Sequence, residues 1–160
     1  MLFRSDANQW LKTAEIIDYK IKEKEPTDDF NTSYDQVRNK NGAQYIGGSI
    51  FKAFVDQSHP IGWGYNDSDL AVFKNDAQLV EINSNLSKTP VFLKQNPLLA
   101  GYISADKKSE IDSTACILIN KKEKGKIISF FIDPNYRAFW YGTNRLFMNA
   151  VFFGDLMEVY

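Results

Sequence analysis

Residues 125–150 read Gly125-Lys-Ile-Ile-Ser-Phe-Phe-Ile-Asp-Pro-Asn-Tyr-Arg-Ala-Phe-Trp140, followed by Tyr141-Gly-Thr-Asn-Arg-Leu-Phe-Met-Asn-Ala150. An apolar run that begins at a glycine and stops at Asp133-Pro134 predicts a buried strand. A loop with Arg137 between aromatic residues comes next, and the amphipathic segment after it predicts a terminal helix packed on the sheet. This stretch therefore indicates a scaffold rather than a catalytic centre.

The predicted strand has a neighbour that it can pair with. Residues 116–120 and 126–132 are both apolar, and Lys121-Lys-Glu-Lys-Gly125 joins them. We expect a hairpin in which Gly125 supplies a positive φ angle if the turn needs one. The lysines at its tip would form a charged edge that discourages strand-to-strand aggregation.

The final helix is predicted over residues 143–157. One apolar stripe runs along it, made of Leu146, Ala150, Phe153 and Met157. Thr143 is the expected N-cap.

The rest of the chain alternates short apolar runs with turn signals. We expect helices at residues 7–14 and 33–39, a polar loop at 22–32, and strands at 15–21, 50–55, 70–73, 79–82, 91–93 and 98–103. Pro90 and Pro97 should mark strand boundaries, because proline cannot donate to a β ladder. The pattern predicts one α/β domain with a mixed sheet over residues 1–160.

Composition excludes several classes of function. With 19 basic and 20 acidic residues the net charge is -1, so no overall field attracts nucleic acid or an anionic membrane. A single cysteine, Cys116, permits neither an intrachain disulfide nor a thiolate zinc cluster. No apolar run approaches the roughly 20 residues that span a bilayer.

The first residues carry no recognisable targeting signal. Leu2-Phe3-Arg4-Ser5 is what a sequencing adaptor would encode if it were read through into an incomplete gene. We therefore treat residues 1–5 as a candidate artefact and the chain as a C-terminal fragment of a larger protein.

His59 is the only histidine and lies in the turn His59-Pro-Ile-Gly-Trp-Gly-Tyr65. It has neither a second histidine nor a glutamate at a ligand-like spacing, so a metal site here is not indicated. We favour a structural role in which the imidazole caps the loop while Trp63 and Tyr65 pack. Catalysis by His59 is the alternative.

Cys116 is the only candidate thiol nucleophile. A catalytic nucleophile on a nucleophile elbow lies at a glycine-flanked turn between strand and helix, whereas Cys116 lies in Thr114-Ala-Cys-Ile-Leu-Ile119. A cysteine in the middle of a strand is typically a small buried apolar residue. No catalytic residue, cofactor site or metal site is predicted for this chain.

Arg137 could grip an anion or hold its own loop by bonding carbonyls or Asp133, and we favour the second role. Among the aromatic residues, Trp63, Tyr65 and Trp140 lie in loops and are candidates for a ligand-binding surface. Asp67 and Asp69 resemble the start of a calcium loop, but the later glycine and glutamate are missing, so a solvated turn is expected.

The residues 125–150 and the turn at His59–Tyr65 together resemble the C-terminal region of large bacterial zinc-carboxypeptidase-like proteins. In that family a class I glutamine-amidotransferase-like domain follows the peptidase domain, and His-Pro-x-x-x-Gly-Tyr is a hallmark of this accessory domain, not a catalytic element. The segment Asp-Pro-x-x-Arg also recurs there. The resemblance implies a partial flavodoxin-like fold, a secreted or periplasmic location, and zinc in a peptidase domain upstream.

Two hypotheses of function follow. In the first, the chain is a non-catalytic accessory domain that packs on the upstream peptidase domain or presents substrate. In the second, it is an independent module that binds a glycan or peptide through its loop aromatics.

Overall fold

Six strands form one mixed sheet in the part of the chain that the computed structural model describes, namely residues 2–4, 6–22, 33, 42–43, 45–83, 85 and 87–159. In chain order the elements are β1 (Leu2–Arg4), α1 (Asp6–Thr13), β2 (Ser49–Val55), β3 (Asp69–Lys74), β4 (Val91–Ala100), α2 (Ala105–Glu110), β5 (Ala115–Lys122), β6 (Gly125–Phe130) and α3 (Tyr141–Phe152). Short 3-10 turns lie at Pro60–Gly62, Tyr136–Ala138 and Gly154–Leu156.

The strand order is β1-β6-β5-β4-β2-β3. β1 runs parallel to β6, and the other described neighbours are antiparallel. The predicted α/β class with a mixed sheet is therefore confirmed. Residues 2–4, which the sequence marked as a candidate artefact, extend this sheet as β1. The predicted loop at 22–32, apart from Lys22, and the helix predicted at 33–39, apart from Ser33, lie outside the described residues.

The predicted hairpin is confirmed, with Lys122 opposite Gly125. Its turn differs from the expectation in one respect, because Glu123, at φ 53°, takes the left-handed conformation and Gly125 does not. The glycine is therefore not needed for the backbone angle that the sequence analysis assigned to it.

Pro97 was wrongly predicted to separate two strands. β4 is continuous from Val91 to Ala100, and Pro97 lies at an irregularity inside it. Two steps along β2, from Phe51 to Ala53, correspond to five steps along β4, from Leu98 to Leu93. Asn96, at φ 50°, lies in this bulge, which is the kind of site where a strand tolerates proline.

Two further predicted strands are also wrong. Residues 15–21 and 79–82 make only isolated bridges, Ile21 with Val80 and Glu81 with Thr114. The alternation itself was correctly interpreted, since Ile17 and Tyr19 are buried at 5% and 6% exposure. A period of two thus identified the buried side without requiring a full ladder.

Apolar side chains pack on both faces of the sheet. Ile117 belongs to the larger cluster, together with Phe51 and Leu146 of α3. Leu118, the next residue, belongs to a second cluster with Leu11 of α1 and Tyr19. Consecutive residues of a strand point to opposite faces, so α1 and α3 cover opposite sides of the hairpin.

α3 begins two residues before the predicted start and ends before the predicted end. Thr143 is not the N-cap: its hydroxyl donates to the carbonyl of Pro134 at 2.6 Å and ties the first turn to the preceding loop. Leu146 and Ala150 are buried as expected. Met157 is also buried, but it follows the helix and the 3-10 turn at Gly154–Leu156.

A buried lysine brings the two sides of the sheet together. The ammonium of Lys74, at the end of β3, donates to Asp76 Oδ1 at 2.6 Å, to the Gln78 carbonyl at 2.8 Å and to the Phe131 carbonyl at 2.7 Å. The residue is 3% exposed. Close by, the N–H of Asp133 donates to the Phe73 carbonyl at 3.0 Å. The sheet is therefore curled, with the end of β6 meeting β3.

Lys74→Met is expected to lower the free energy of unfolding by about 3–5 kcal/mol, because it leaves a carboxylate and two carbonyls without their cation. Chemical denaturation followed by circular dichroism measures this. Lys52→Met is the matched control, since Lys52 pairs with Asp69 on the exposed surface and should unfold at the wild-type denaturant concentration. Equal midpoints for the two variants would contradict the role of Lys74.

Candidate functional site

The turn between β2 and β3 is capped by His59. Its Nδ1 accepts the N–H of Ile61 at 3.1 Å, and Pro60 occupies the first position of the 3-10 turn. Proline is suited to that position because its nitrogen has no proton to satisfy. The imidazole therefore makes the backbone hydrogen bond that the structural interpretation expected.

The tautomer of His59 follows from this contact. Because Nδ1 accepts a hydrogen bond, the neutral ring carries its own proton on Nε2. That nitrogen is buried and has no hydrogen-bond partner among the described residues. Burial lowers the pKa of His59 below its ordinary value of 6.5, against a smaller opposing effect of Asp56. At neutral pH the residue is a neutral cap.

Gly62 allows this turn to close. A Cβ built at Gly62 would overlap the carbonyl oxygen of Asp56. Gly64 has φ 83°, a conformation that glycine adopts without strain. The glycines of the turn are thus required by close packing at one position and by backbone conformation at the other.

α3 holds the turn through polar side chains. The amide of Asn149 donates to the carbonyls of Ile61 and Trp63, each at 2.9 Å. The guanidinium of Arg145 donates to the Gly64 carbonyl. In the opposite direction, the Tyr65 hydroxyl donates to the Gly142 carbonyl at 2.8 Å. We call this set of contacts the turn–helix clasp.

The clasp includes two residues that the sequence analysis missed, Arg145 and Asn149. They lie four positions apart on α3. A polar pair at this spacing faces one side of a helix, and this signal could have identified them. Nothing in the sequence, however, indicates that their partners are carbonyls 81 to 88 positions earlier.

The two aromatic residues of the turn are largely occupied within the fold. Trp63 packs on Phe153 with ring centroids 5.2 Å apart and remains 40% exposed. Burial raises the pKa of Tyr65 to about 12, and Arg145 lies 5.6 Å from the centre of its ring. Of the pair, only Trp63 offers part of its ring to a ligand.

Arg137 does not hold its loop in the way that was predicted. Within the described residues its guanidinium makes no hydrogen bond to Asp133 or to a carbonyl. It is exposed and lies 5.2 Å from the centre of the Tyr136 ring. Arg137 and Ala138 both have positive φ angles, 49° and 56°. The sequence correctly placed the arginine among aromatics but not the direction in which it points.

Trp140 covers the outer edge of the sheet. Its indole Nε1 reaches the Ala71 carbonyl at 3.4 Å, and Tyr136 stacks on Phe73 with centroids 3.8 Å apart. An unpaired strand edge is prone to pair with another chain, and this loop occupies part of that edge on β3. Trp140 also directly precedes α3, so the two loops with candidate residues meet at the first turn of that helix.

The geometry supports neither a thiol nucleophile nor a metal site in the described part of the chain. Cys116 is 1% exposed, and burial raises the pKa of its thiol to about 12. No group of three His, Cys, Asp or Glu residues is placed there to hold a metal. Asp67 accepts the N–H of Asp69, whose carboxylate pairs with Lys52 at 2.6 Å. The described residues therefore provide no set of ligands that fits zinc.

Gly62→Ala is expected to lower the free energy of unfolding by about 1–3 kcal/mol or more, because the new methyl group meets backbone that cannot move independently. Gly142→Ala is the matched control. No atom lies within 4 Å of a Cβ at Gly142, so this helical position should tolerate alanine or gain stability from it. Thermal melts of both variants measure the difference, and an unchanged Gly62→Ala variant would refute the close approach.

The stability of the chain should fall as the pH drops below about 6.5. Folding lowers the pKa of His59, so as the pH falls the unfolded state binds a proton before the folded state does. The stability that neutral His59 contributes is therefore fully present only above the unfolded pKa of about 6.5. Protonation also removes the Nδ1 acceptor from Ile61.

His59→Asn tests this, because asparagine can cap the turn but does not titrate near neutrality. Urea unfolding between about pH 7.5 and 5.5 should show a flatter pH dependence for this variant than for the wild type. Identical slopes would assign the pH dependence to other groups.

Among the described residues no helix combines the length and apolar character that crossing a membrane requires. Comparison with known proteins gave no matching family model, no matching curated protein and no matching solved structure. Ideas about the function of this chain therefore depend on its own residues and their geometry.

Proposed function

We propose that this chain is a non-catalytic accessory domain of a secreted or periplasmic zinc-carboxypeptidase-like protein, where it serves domain packing or substrate presentation. The observation that carries the proposal is the turn–helix clasp. It joins the two stretches on which the resemblance depends, residues 59–65 and 125–150, through the hydrogen bonds of Asn149 and Tyr65. The two segments that carry the resemblance, although distant in sequence, therefore contact each other in the fold.

An origin in a class I amidotransferase-like domain is the finer part of this proposal. A flavodoxin-like sheet is mainly parallel. The described sheet has one parallel pair, β1 with β6, and is otherwise antiparallel. The strand directions therefore do not support this origin, which depends on the resemblance of residues 59–65 and 125–150.

The lack of catalysis is supported by the state of the two candidate residues. The thiol of Cys116 is buried with a raised pKa, and the Nδ1 of His59 is occupied by the Ile61 N–H. A nucleophile must be accessible, and a general base must have a free nitrogen within reach of its substrate.

Domain packing is supported by an exposed apolar part of α3. Tyr141 and Met148, seven positions apart and so on one side of the helix, are 78% and 41% exposed. Exposed apolar residues that share one helix face are typical of a surface that another domain covers. In this proposal the upstream peptidase domain covers them.

The test begins with the complete open reading frame. Its peptidase domain and this chain are produced separately, and their association is measured by analytical ultracentrifugation. Tyr141→Glu with Met148→Glu should abolish association, whereas Tyr102→Glu, at an 83% exposed position outside α3, should not. Zinc-dependent release of C-terminal residues should reside in the upstream domain.

This chain alone should hydrolyse neither glutamine nor C-terminal peptide bonds. Hydrolysis by the isolated chain that is lost in Cys116→Ala or His59→Ala would overturn the proposal. An upstream frame without zinc ligands would also count against it.

A second candidate function is supported by the position of Arg137. An exposed guanidinium beside the Tyr136 ring, with Phe139 56% exposed next to it, can bind a glycan or peptide carboxylate by ion pairing and stacking. The positive φ angles of Arg137 and Ala138 are strained for residues other than glycine, and such strain is often found at binding sites.

Arg137→Lys is expected to change the free energy of unfolding by less than about 0.5 kcal/mol, because the guanidinium is exposed and bonds no carbonyl of the described chain. Arg137→Gly should be more stable than Arg137→Ala by about 1 kcal/mol, since only glycine occupies this backbone conformation freely. Denaturant titrations check both. A large loss in Arg137→Lys would restore the structural role that the sequence suggested.

A further inference from the structure

A groove of about 580 Å³ lies where the tip of the β5–β6 hairpin meets the end of α3. The hairpin tip and residues 125–128 of β6 form one wall, and residues 150–152 of α3 with Gly154 and Asp155 form the other. Ile16, from the segment after α1, completes the lining. None of the residues discussed as candidates in the loops lines this groove. It is therefore separate from the turn–helix clasp and from the Arg137 loop.

The floor of the groove is apolar. Ile128 and Ala150 are buried beneath it, at 3% and 4% exposure. Val151 and Phe152 of α3 are 49% and 68% exposed at its side. An apolar side chain placed here would leave water and contact both elements.

The mouth of the groove carries more positive than negative charge. Lys122, Lys124 and Lys126 line it, with Asp155 as the acidic residue among its lining. Lys126 already donates to the Asp155 carbonyl at 3.0 Å and so holds the C-terminal turn against the hairpin. The side chains of Lys122 and Lys124 are exposed, and their ammonium groups form no hydrogen bond or ion pair with any described residue. Their charges are available to an anionic ligand.

The neighbouring strand pairing favours an extended ligand. β1 runs parallel along β6 from Leu2, which lies opposite Ile128. The groove is lined by the residues of β6 that lead up to this point, from Gly125 onward. A peptide in extended conformation presents alternate side chains to opposite sides, which suits an apolar floor beside a charged mouth.

We propose that this groove binds an extended acidic peptide segment, with its apolar side chains on the floor and its carboxylates paired with Lys122 and Lys124. Peptide binding in this groove is a separate proposal from the accessory role and does not depend on it. The alternative is that the lysines of the hairpin tip are only solvated and serve to discourage strand-to-strand aggregation.

The test uses the full chain and a fluorescein-labelled hexapeptide of alternating valine and glutamate, with binding followed by fluorescence anisotropy. We expect saturable binding that weakens as salt is added. Lys122→Glu combined with Lys124→Glu should reduce the affinity by at least about tenfold. Lys108→Glu, an exposed change in α2 away from the groove, should leave it unchanged.

Two further peptides separate the contributions. An alternating valine–lysine peptide should not bind, and a serine–glutamate peptide should bind more weakly because it lacks the apolar contacts. Equal binding of the three peptides, no binding of any, or an affinity that the double charge reversal leaves unchanged would overturn the proposal. The exposed positions of Lys122 and Lys124 mean that the reversal should preserve the circular dichroism spectrum, which is recorded as the folding control.

Discussion

The buried ammonium of Lys74 is the interaction on which the curled sheet depends. Its three protons match three oxygens, one carboxylate and two carbonyls, contributed by Asp76, Gln78 and Phe131. A cation can leave water only when its donors are satisfied in this way. Because Phe131 follows β6 and Lys74 ends β3, the same contact fixes how far the sheet bends.

The contact between Lys74 and Phe131 also positions the loop that follows β6. Once Phe131 is held, the next residues pass along the outer edge of β3, where the Asp133 N–H and the Trp140 indole meet strand carbonyls. α3 then starts beside the turn that follows β2, and Asn149 reaches its carbonyls. The polar contacts thus form a series along the chain, from sheet closure through edge protection to the clasp.

Local sequence patterns predicted most strands correctly. They failed where the role of a residue depends on partners that are distant in the sequence. Short apolar runs bounded by turn signals predicted β2, β3 and the hairpin, because their side chains are buried in the core. The strand boundary predicted at Pro97 was wrong, since whether proline ends a strand or lies in a bulge depends on the register with β2. Lys74 was not recognised, because a lysine at the end of a strand normally reaches solvent and its oxygens come from residues up to 57 positions away.

The same limit applies to the candidate site. The role of His59 as a cap could be predicted because its partner is two residues away. The direction of Arg137 could not, because bonding to its own loop and stacking outward on Tyr136 are both compatible with the same local residues. Asn149 could have been noticed as a polar residue on a packed helix, but its partners belong to a turn that only the tertiary fold brings near.

The burial of Cys116 gives this chain a built-in reporter of its own motions. It is the only thiol in the sequence and lies in β5, at the centre of the sheet and 1% exposed. A labelling reagent can reach its sulfur only when the strands around it separate, so the rate of modification would count opening events of the core itself. Fraying of loops and helix ends would leave that rate unaffected, and slow exchange of the whole domain could be followed without introducing a probe.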